Sequence, residues 1–182
     1  MLKRSHKGPR LVTQVVALCA MIVGGLLVAA LPASAYTLVG RFQSHQSGLC
    51  LDSGFPVKNS IYGPVYTRGC QSGNGYQTWE VSGNKGTSRF GYEQVQIKNR
   101  ATGLCLGMEK YGDIRLYTEP CSDGRPPETD VLEGVGPNWQ NVSLRLEYGD
   151  HLLCVDTHGA ATQDAYGRDC NYGAYQKWRL LS

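Results

Sequence analysis

Asp52 stands two residues after Cys50 and Asp156 two residues after Cys154; at the matching place after Cys105 the chain has Gly107. Each of these cysteines is followed by a second one, Cys70, Cys121 or Cys170, and four residues before that second cysteine comes a tyrosine: Tyr66, Tyr117 or Tyr166. Amides and further tyrosines follow the second cysteine, Gln71, Asn74 and Tyr76 in the first case, Asn171 and Tyr175 in the third. These side chains suit recognition of a polar ligand. A carboxylate accepts two hydrogen-bond donors at once, and its charge strengthens both bonds. An amide both donates and accepts, and a tyrosine ring offers a flat apolar face with a polar tip.

Something must hold these groups in register, and a threefold repeat does so. The first cysteines step by 55 and 49 positions, the second ones by 51 and 49. Trp79, Trp139 and Trp178 close the three units, two of them within Tyr-Gln-x-Trp; the middle unit reads Gly136-Pro137-Asn138-Trp139. The repeats span about 37–83, 90–142 and 143–182, each about 49 residues. Short β-branched, leucine-rich and aromatic runs such as TLVGRF, GPVYTRG, EQVQIKN and VSLRLEY alternate with Gly, Asn, Asp and Ser turns, and no stretch keeps a helical period. About four strands per unit gives about twelve in all. One unit of this size cannot bury its own apolar face, so the three must share a core. An open stack would leave large exposed ends, so a closed threefold arrangement is expected, with the three tryptophans among its largest rings.

Residues 1–35 read differently. Lys3, Arg4, Lys7 and Arg10 precede an apolar run from Leu11 to Leu31, which ends in Pro32 and Ala33-Ser34-Ala35. This is the pattern of a secretory signal peptide cut after Ala35; the rival reading is a membrane anchor, since the run is long enough to span a bilayer. Residues 36–182 form the expected mature domain, exported and soluble, with no membrane span after cleavage. The leader holds four of the 18 Lys and Arg and none of the 15 Asp and Glu, so the remainder carries one net negative charge. Nothing in that balance suggests a nucleic-acid binder. Six cysteines remain after the leader. An exported protein with an even count points to disulfides, and one motif written three times predicts pairing within units: Cys50–Cys70, Cys105–Cys121 and Cys154–Cys170. Each would be worth roughly 3 kcal/mol in the chain-entropy account. There is no close Cys-x-x-Cys pair, and His45, His151 and His158 lack metal spacing; they read as surface residues, and neither metal nor cofactor is expected. Gly-x-Ser-x-Gly, His-Glu-x-x-His and phosphate-loop motifs are absent, so no enzyme is expected.

Cys-Leu-Asp, Val-Tyr-Thr before the second cysteine and Gln-x-Trp at the end resemble the ricin-B-type lectins, which are β-trefoils. The closer likeness is to their actinohivin-like bacterial branch, and it covers Thr37 to Leu181. The resemblance implies a carbohydrate-binding protein. In the family, the Asp after the first cysteine, the Tyr of Val-Tyr-Thr, the Asn after the second cysteine and the Tyr of Tyr-Gln-x-Trp hold the sugar. The third unit matches each of these with Asp156, Tyr166, Asn171 and Tyr175. The first offers Asp52, Tyr66 and Tyr76; Gln71 replaces the asparagine, and Asn74 is the alternative amide. The middle unit keeps the scaffold of Cys105, Cys121 and Trp139, but Gly107 removes its carboxylate, Pro137 replaces its glutamine, and Ser122 to Gly136 is inserted. Gln77 and Gln176 read as scaffold with Trp79 and Trp178, bonding backbone or orienting the aspartates.

Taken singly, an Asp after a core cysteine could shape a turn, and each tyrosine could be an ordinary strand residue. Their joint recurrence favours two shallow sugar sites on a monomer. The resemblance leaves the glycan open among mannose, galactose and xylan types. The rival function is a trefoil-fold protease inhibitor or adhesion protein acting through the loops Phe55–Gly63 and Ser122–Gly136.

Overall fold

The structure, a computed structural model, describes residues 36–56, 60–108, 114–122, 131–148, 151–157 and 163–182. The expected leader, His158 and most of the Ser122–Gly136 segment lie outside the described residues.

Among the described residues twelve strands follow in chain order, four to a repeat. The first repeat has β1 (Thr37–Ser44), β2 (Cys50–Ser53), β3 (Gly63–Arg68) and β4 (Trp79–Thr87). The middle one has β5 (Glu93–Asn99), β6 (Cys105–Met108), β7 (Leu116–Glu119) and β8 (Val131–Val135). The third has β9 (Ser143–Tyr148), β10 (His151–Thr157), β11 (Gln163–Asp169) and β12 (Trp178–Leu181). The first and fourth strands of the repeats close a barrel: β1–β4, β4–β5, β5–β8, β8–β9 and β12–β1 are antiparallel pairs, and a bridge between Val142 and Trp178 completes the ring. Closure removes the open edges that a threefold stack would expose. The second and third strands form three hairpins, β2–β3, β6–β7 and β10–β11. These meet around the same axis through β3–β7, β11–β3 and a bridge between Arg115 and Tyr166.

Where the hairpins meet, one contact recurs with different atoms. Thr67 Oγ1 lies 3.3 Å from Thr157 Oγ1, and Thr118 Oγ1 lies 3.4 Å from Ser53 Oγ. At the third contact Met108 takes the hydroxyl's place, and Gly167 makes room: a Cβ there would lie 2.7 Å from Met108 Sδ. This accounts for Gly167 where the first repeat has Thr67.

All three disulfides join cysteines within a repeat, Cys50–Cys70, Cys105–Cys121 and Cys154–Cys170. The core is apolar and shared among repeats, with Phe42, Leu51, Trp79, Ile97, Leu106, Leu132, Leu144 and Trp178 fully buried. The ring N–H of Trp79 donates to the Leu51 carbonyl and that of Trp178 to the Val155 carbonyl, both at 3.0 Å. Each tryptophan thus ties the fourth strand of its repeat to the second.

Trp139 departs from this pattern. It lies in the β8–β9 connection, only partly buried, with its ring 6.2 Å from that of Phe42. The residue in the tryptophan's place is Leu132: it pairs with Val95 as Trp79 pairs with Gly40, and Val95 and Gly40 both stand ten residues before their cysteine. Pro137 therefore does not occupy the glutamine's place, and the segment read as an insertion, Ser122–Gly136, contains β8. Leu132 stands 11 positions after Cys121, against 9 for Trp79 after Cys70 and 8 for Trp178 after Cys170, so the added residues come before Leu132, and Trp139 lies beyond β8. A leucine fills the core position without an indole, so the sequence pattern points to the wrong residue.

Candidate functional site

Asp156 on β10 lies directly opposite Tyr166 on β11. It is 3% exposed, so it forms the floor of a site and not a shallow rim. Gln176 Nε2 donates to Asp156 Oδ2 at 2.9 Å, and the Tyr166 hydroxyl approaches Oδ1 at 3.4 Å. Gln176 is fully buried, and its amide is saturated. The same Nε2 donates to the Asp169 carbonyl at 3.0 Å, while Oε1 accepts the backbone N–H groups of Asn171 and Tyr172 at 2.9 and 3.0 Å. One glutamine thereby binds the aspartate to the chain that follows Cys170.

The local sequence makes this geometry. Ala174–Gln176 form a single 3-10 turn, which points Gln176 inward and leaves Tyr175 43% exposed. Asn171 Oδ1 accepts the Gly173 N–H at 2.7 Å and fixes the start of the turn. Tyr172 sits at φ 55°, in the left-handed region that non-glycine residues seldom adopt. Arg145 Nη1 donates to its hydroxyl at 3.0 Å, and Arg145 is in turn paired with the buried carboxylate of Glu133. Asp156, Tyr166, Asn171 and Tyr175, the four residues expected from the sequence, line one open cleft of about 300 Å³ together with Thr157, Arg168 and Gly173. Burial first, then the charge of Asp156, pushes the Tyr166 phenol up; burial and Asp52 do the same for Tyr66. Both phenols stay protonated at neutral pH.

The first repeat copies the frame and alters the rim. Asp52, 2% exposed, faces Tyr66 across β2–β3. Gln77 Nε2 donates to Asp52 Oδ2 and to the Gly69 carbonyl, both at 3.0 Å, and Gln77 Oε1 accepts the Gln71 N–H at 2.7 Å. The two expected amides are engaged with each other and with the turn Gly75–Gln77: Asn74 Nδ2 donates to Gln71 Oε1 at 3.0 Å, and Asn74 Oδ1 caps the turn at the Tyr76 N–H, also at 3.0 Å. Phe55 stands edge-on to Tyr76 at 5.1 Å, and the Arg68 guanidinium lies 5.1 Å from the Tyr66 ring centre.

In the middle repeat Gly107 faces Tyr117 in the same register. Two residues not foreseen as site members stand close by. Gln96 on β5 donates from Nε2 to the carbonyl of Ser122, next to Cys121, at 3.0 Å, so it anchors the post-cysteine chain as Gln77 and Gln176 do in the other repeats. Glu119, two residues beyond Tyr117, reaches over Gly107: a Cβ on that glycine would lie 2.7 Å from Glu119 Oε1 and 2.8 Å from Tyr117 Cε2. Arg168 was legible in principle, because it stands two residues after Tyr166 as Arg68 does after Tyr66. Gln96 has no such signal, since it comes from a different strand. Among the described residues no group of three or more His, Cys, Asp and Glu side chains is placed to hold a metal ion.

A closed threefold barrel capped by hairpins, with a carboxylate and a tyrosine facing each other on two of them, is the make-up of a β-trefoil binding protein. The chain belongs to the ricin-type β-trefoil lectin domain family, whose model matches residues 38–178. No curated protein sequence matches it. Among solved structures it is similar to the Rhizoctonia solani agglutinin, at 17% identity over 84% of this chain and 99% of that one, with a TM-score of 0.60. It is similar to ThreeFoil, a designed threefold-symmetric protein, at 16% identity over 79% and 98%, TM-score 0.60. The Macrolepiota procera ricin B-like lectin in complex with lactose matches at 14% identity over 79% and 94%, TM-score 0.52. At these identities the likenesses show the fold.

Proposed function

We propose that this chain is a secreted, monomeric lectin that holds glycans in its first and third repeats. Asp156, Tyr166, Asn171 and Tyr175 form the stronger site; Asp52, Tyr66, Gln71, Asn74 and Tyr76 form the weaker. Family membership and the lectin neighbours support a carbohydrate-binding role, one of binding and not catalysis. The observation that carries the assignment is the third-repeat cleft, where the four expected residues converge around a carboxylate held by Gln176. A sugar places two neighbouring hydroxyls on Asp156 and lays its C–H face on a tyrosine ring. The first repeat is the weaker site because Gln71 and Asn74 already bond each other.

The ligand is a glycan of mannose, galactose or xylan type, and the motif Leu51-Asp52-Ser53 resembles that of the actinohivin-like branch. Residues 1–35 act as a cleaved leader, and Tyr36–Ser182 as the mature domain; the three disulfides support export to an oxidising compartment. A glycan array followed by titration calorimetry tests the assignment: binding present in the wild type and weakened by Asp156→Asn is expected. An array with no bound glycan sinks it.

One observation favours a second reading. Phe55 and Ile61, 64% and 59% exposed, stand with Tyr62 on the β2–β3 loop, an apolar patch suited to a protein partner. If the chain is an inhibitor or adhesion protein, Ile61→Ser will weaken its activity and leave sugar binding at the third repeat unchanged.

A further inference from the structure

The three joins between one repeat and the next can be compared at a single position on the barrel wall. The residue after Trp79, Leu132 or Trp178 faces the first strand of the next repeat: Glu80 faces Lys98, Glu133 faces Arg145, and Arg179 faces Gln43. Each follows a core residue on a strand, so alternation turns it away from the core. Lys98 and Arg179 are exposed, whereas Glu133 and Arg145 are both buried. Three aromatic rings roof this one pair. The Arg145 guanidinium lies 4.6 Å from the Tyr92 ring centre and 5.2 Å from that of Phe90, and Nη1 donates to the Tyr172 hydroxyl at 3.0 Å. All three rings are themselves exposed.

The fold does not require the roof. Two joins of three do without it, and burying an ion pair is a weak source of stability; here it leaves Glu133 Oε1 with no hydrogen-bond partner. Tyr172 also runs against backbone preference. It stands four residues before Gln176 as Gly73 stands four before Gln77, and both are left-handed, at φ 55° and 77°. Glycine adopts that conformation freely, and a tyrosine is strained in it. Strain of this kind persists where a side chain serves a contact. The rings are placed to meet a ligand that already occupies the third-repeat cleft. Tyr172 lies between Asn171 and Gly173, which both line that cleft. Phe90 and Tyr92 carry the aromatic surface onward on the β4–β5 turn, which an ion pair between Arg89 and Glu147 ties to β9.

We infer that Tyr172, Tyr92 and Phe90 form an extension subsite on the barrel wall, outside the hairpin pockets, where the inner sugars of a linear glycan lie while its end sits on Asp156. Rings fixed around one guanidinium offer flat apolar faces to the C–H faces of successive sugars. The ligand class is therefore an oligosaccharide chain, and a lone sugar uses the cleft alone. The inference rests on the lectin reading, and its test separates the two.

The test is titration calorimetry of the purified protein carrying Asp52→Asn, which confines binding to the third repeat. The ligands are the methyl glycosides and linear tetrasaccharides of mannose, galactose and xylose. At least one tetrasaccharide is expected to bind at least tenfold more tightly than its own methyl glycoside. Adding Tyr172→Gly and Phe90→Ser is expected to reduce that gain to threefold or less and to leave methyl glycoside affinity unchanged. A tetrasaccharide bound no more tightly than its methyl glycoside overturns the subsite and leaves the cleft standing. So does a gain that survives both substitutions, or an equal loss for long and short ligands. Binding of none of the six ligands, in this protein and in the wild type, overturns the lectin reading with it. Should the combined variant fail to fold, Phe90→Ser alone decides, because Phe90 lies outside the cleft: the gain is expected to fall about threefold, and an unchanged gain overturns the subsite.

Discussion

The third and middle repeats show two ways of filling one four-stranded frame. In the third, a single turn does several tasks: Gln176 holds Asp156 and the post-cysteine chain, and Trp178, two residues later, fills the core and bonds β10. In the middle, the same tasks are spread over separate elements. Leu132 on β8 fills the core position, Gln96 on β5 anchors the post-cysteine chain, and Trp139 packs against Phe42 from the β8–β9 connection. The frame thus constrains positions and bonds; it does not constrain which strand provides them. The Gln-x-Trp turn is compact, whereas the dispersed version tolerates a longer connection.

The core position gives the largest expected difference. Trp178→Ala empties a fully buried aromatic site and breaks a buried hydrogen bond, at a cost of about 3–5 kcal/mol. Trp139→Ala removes a partly exposed ring and should cost about 1–2 kcal/mol. Urea unfolding of both variants checks this. Equal costs would mean that Trp139, and not Leu132, closes the middle repeat.

Next comes the amide. Gln176→Ala strands Asp156 Oδ2, the Asp169 carbonyl and two backbone N–H groups, and a loss of about 2–3 kcal/mol is expected. Gln96→Ala removes the bond to Ser122 and should cost about 1 kcal/mol. Gln176→Ala should also weaken sugar binding, because the aspartate loses its orientation. Thermal unfolding alongside calorimetry separates the effects; a Gln176→Ala protein with wild-type affinity would show that Asp156 needs no tether.

The carboxylate ranks third. Asp156→Asn keeps the side-chain shape and deletes the charge, so binding at the third repeat should fall roughly 10- to 100-fold, the worth of a charge-assisted hydrogen bond. The melting temperature of this variant should drop slightly, since Asp156 is buried and bonded to Gln176. An affinity unchanged in calorimetry at the third repeat would remove Asp156 from the site.

What the sequence disclosed follows the same division. The cysteine pairs, the tyrosine register and the Tyr-Gln-x-Trp turns are local patterns with fixed spacing, so the barrel, the disulfides and the third-repeat cleft were legible from them. Gln96 and Glu119 act across strand pairs that spacing does not reveal. Leu132 was hidden because a leucine in a strand looks like any other, while Trp139 attracted the assignment by its size. The burial of Asp52 and Asp156 was illegible too: it depends on hairpins folding over residues that hydropathy alone assigns to the surface.

The smallest expected effect concerns the phenol at the third repeat. Tyr166 faces Asp156, and burial with that neighbouring charge raises its pKa above the ordinary tyrosine value. A group whose folded pKa lies above its unfolded one stabilises the fold fully below the unfolded value, near pH 10, and that contribution is lost as pH rises through the folded value. The neutral phenol should therefore persist in the folded protein past the pH at which free tyrosine ionises. Tyr166→Phe deletes a long bond of 3.4 Å to Asp156, so binding should weaken only about two- to fivefold, near 0.5–1 kcal/mol. The mutant's affinity should also vary less with pH above about pH 10 than the wild type's. Calorimetry of both proteins from about pH 8 to pH 11 reads the difference. A wild-type affinity that falls with a midpoint at or below about pH 10 would mean that the phenol ionises as if in water, and that Asp156 does not act on it as the cleft geometry requires.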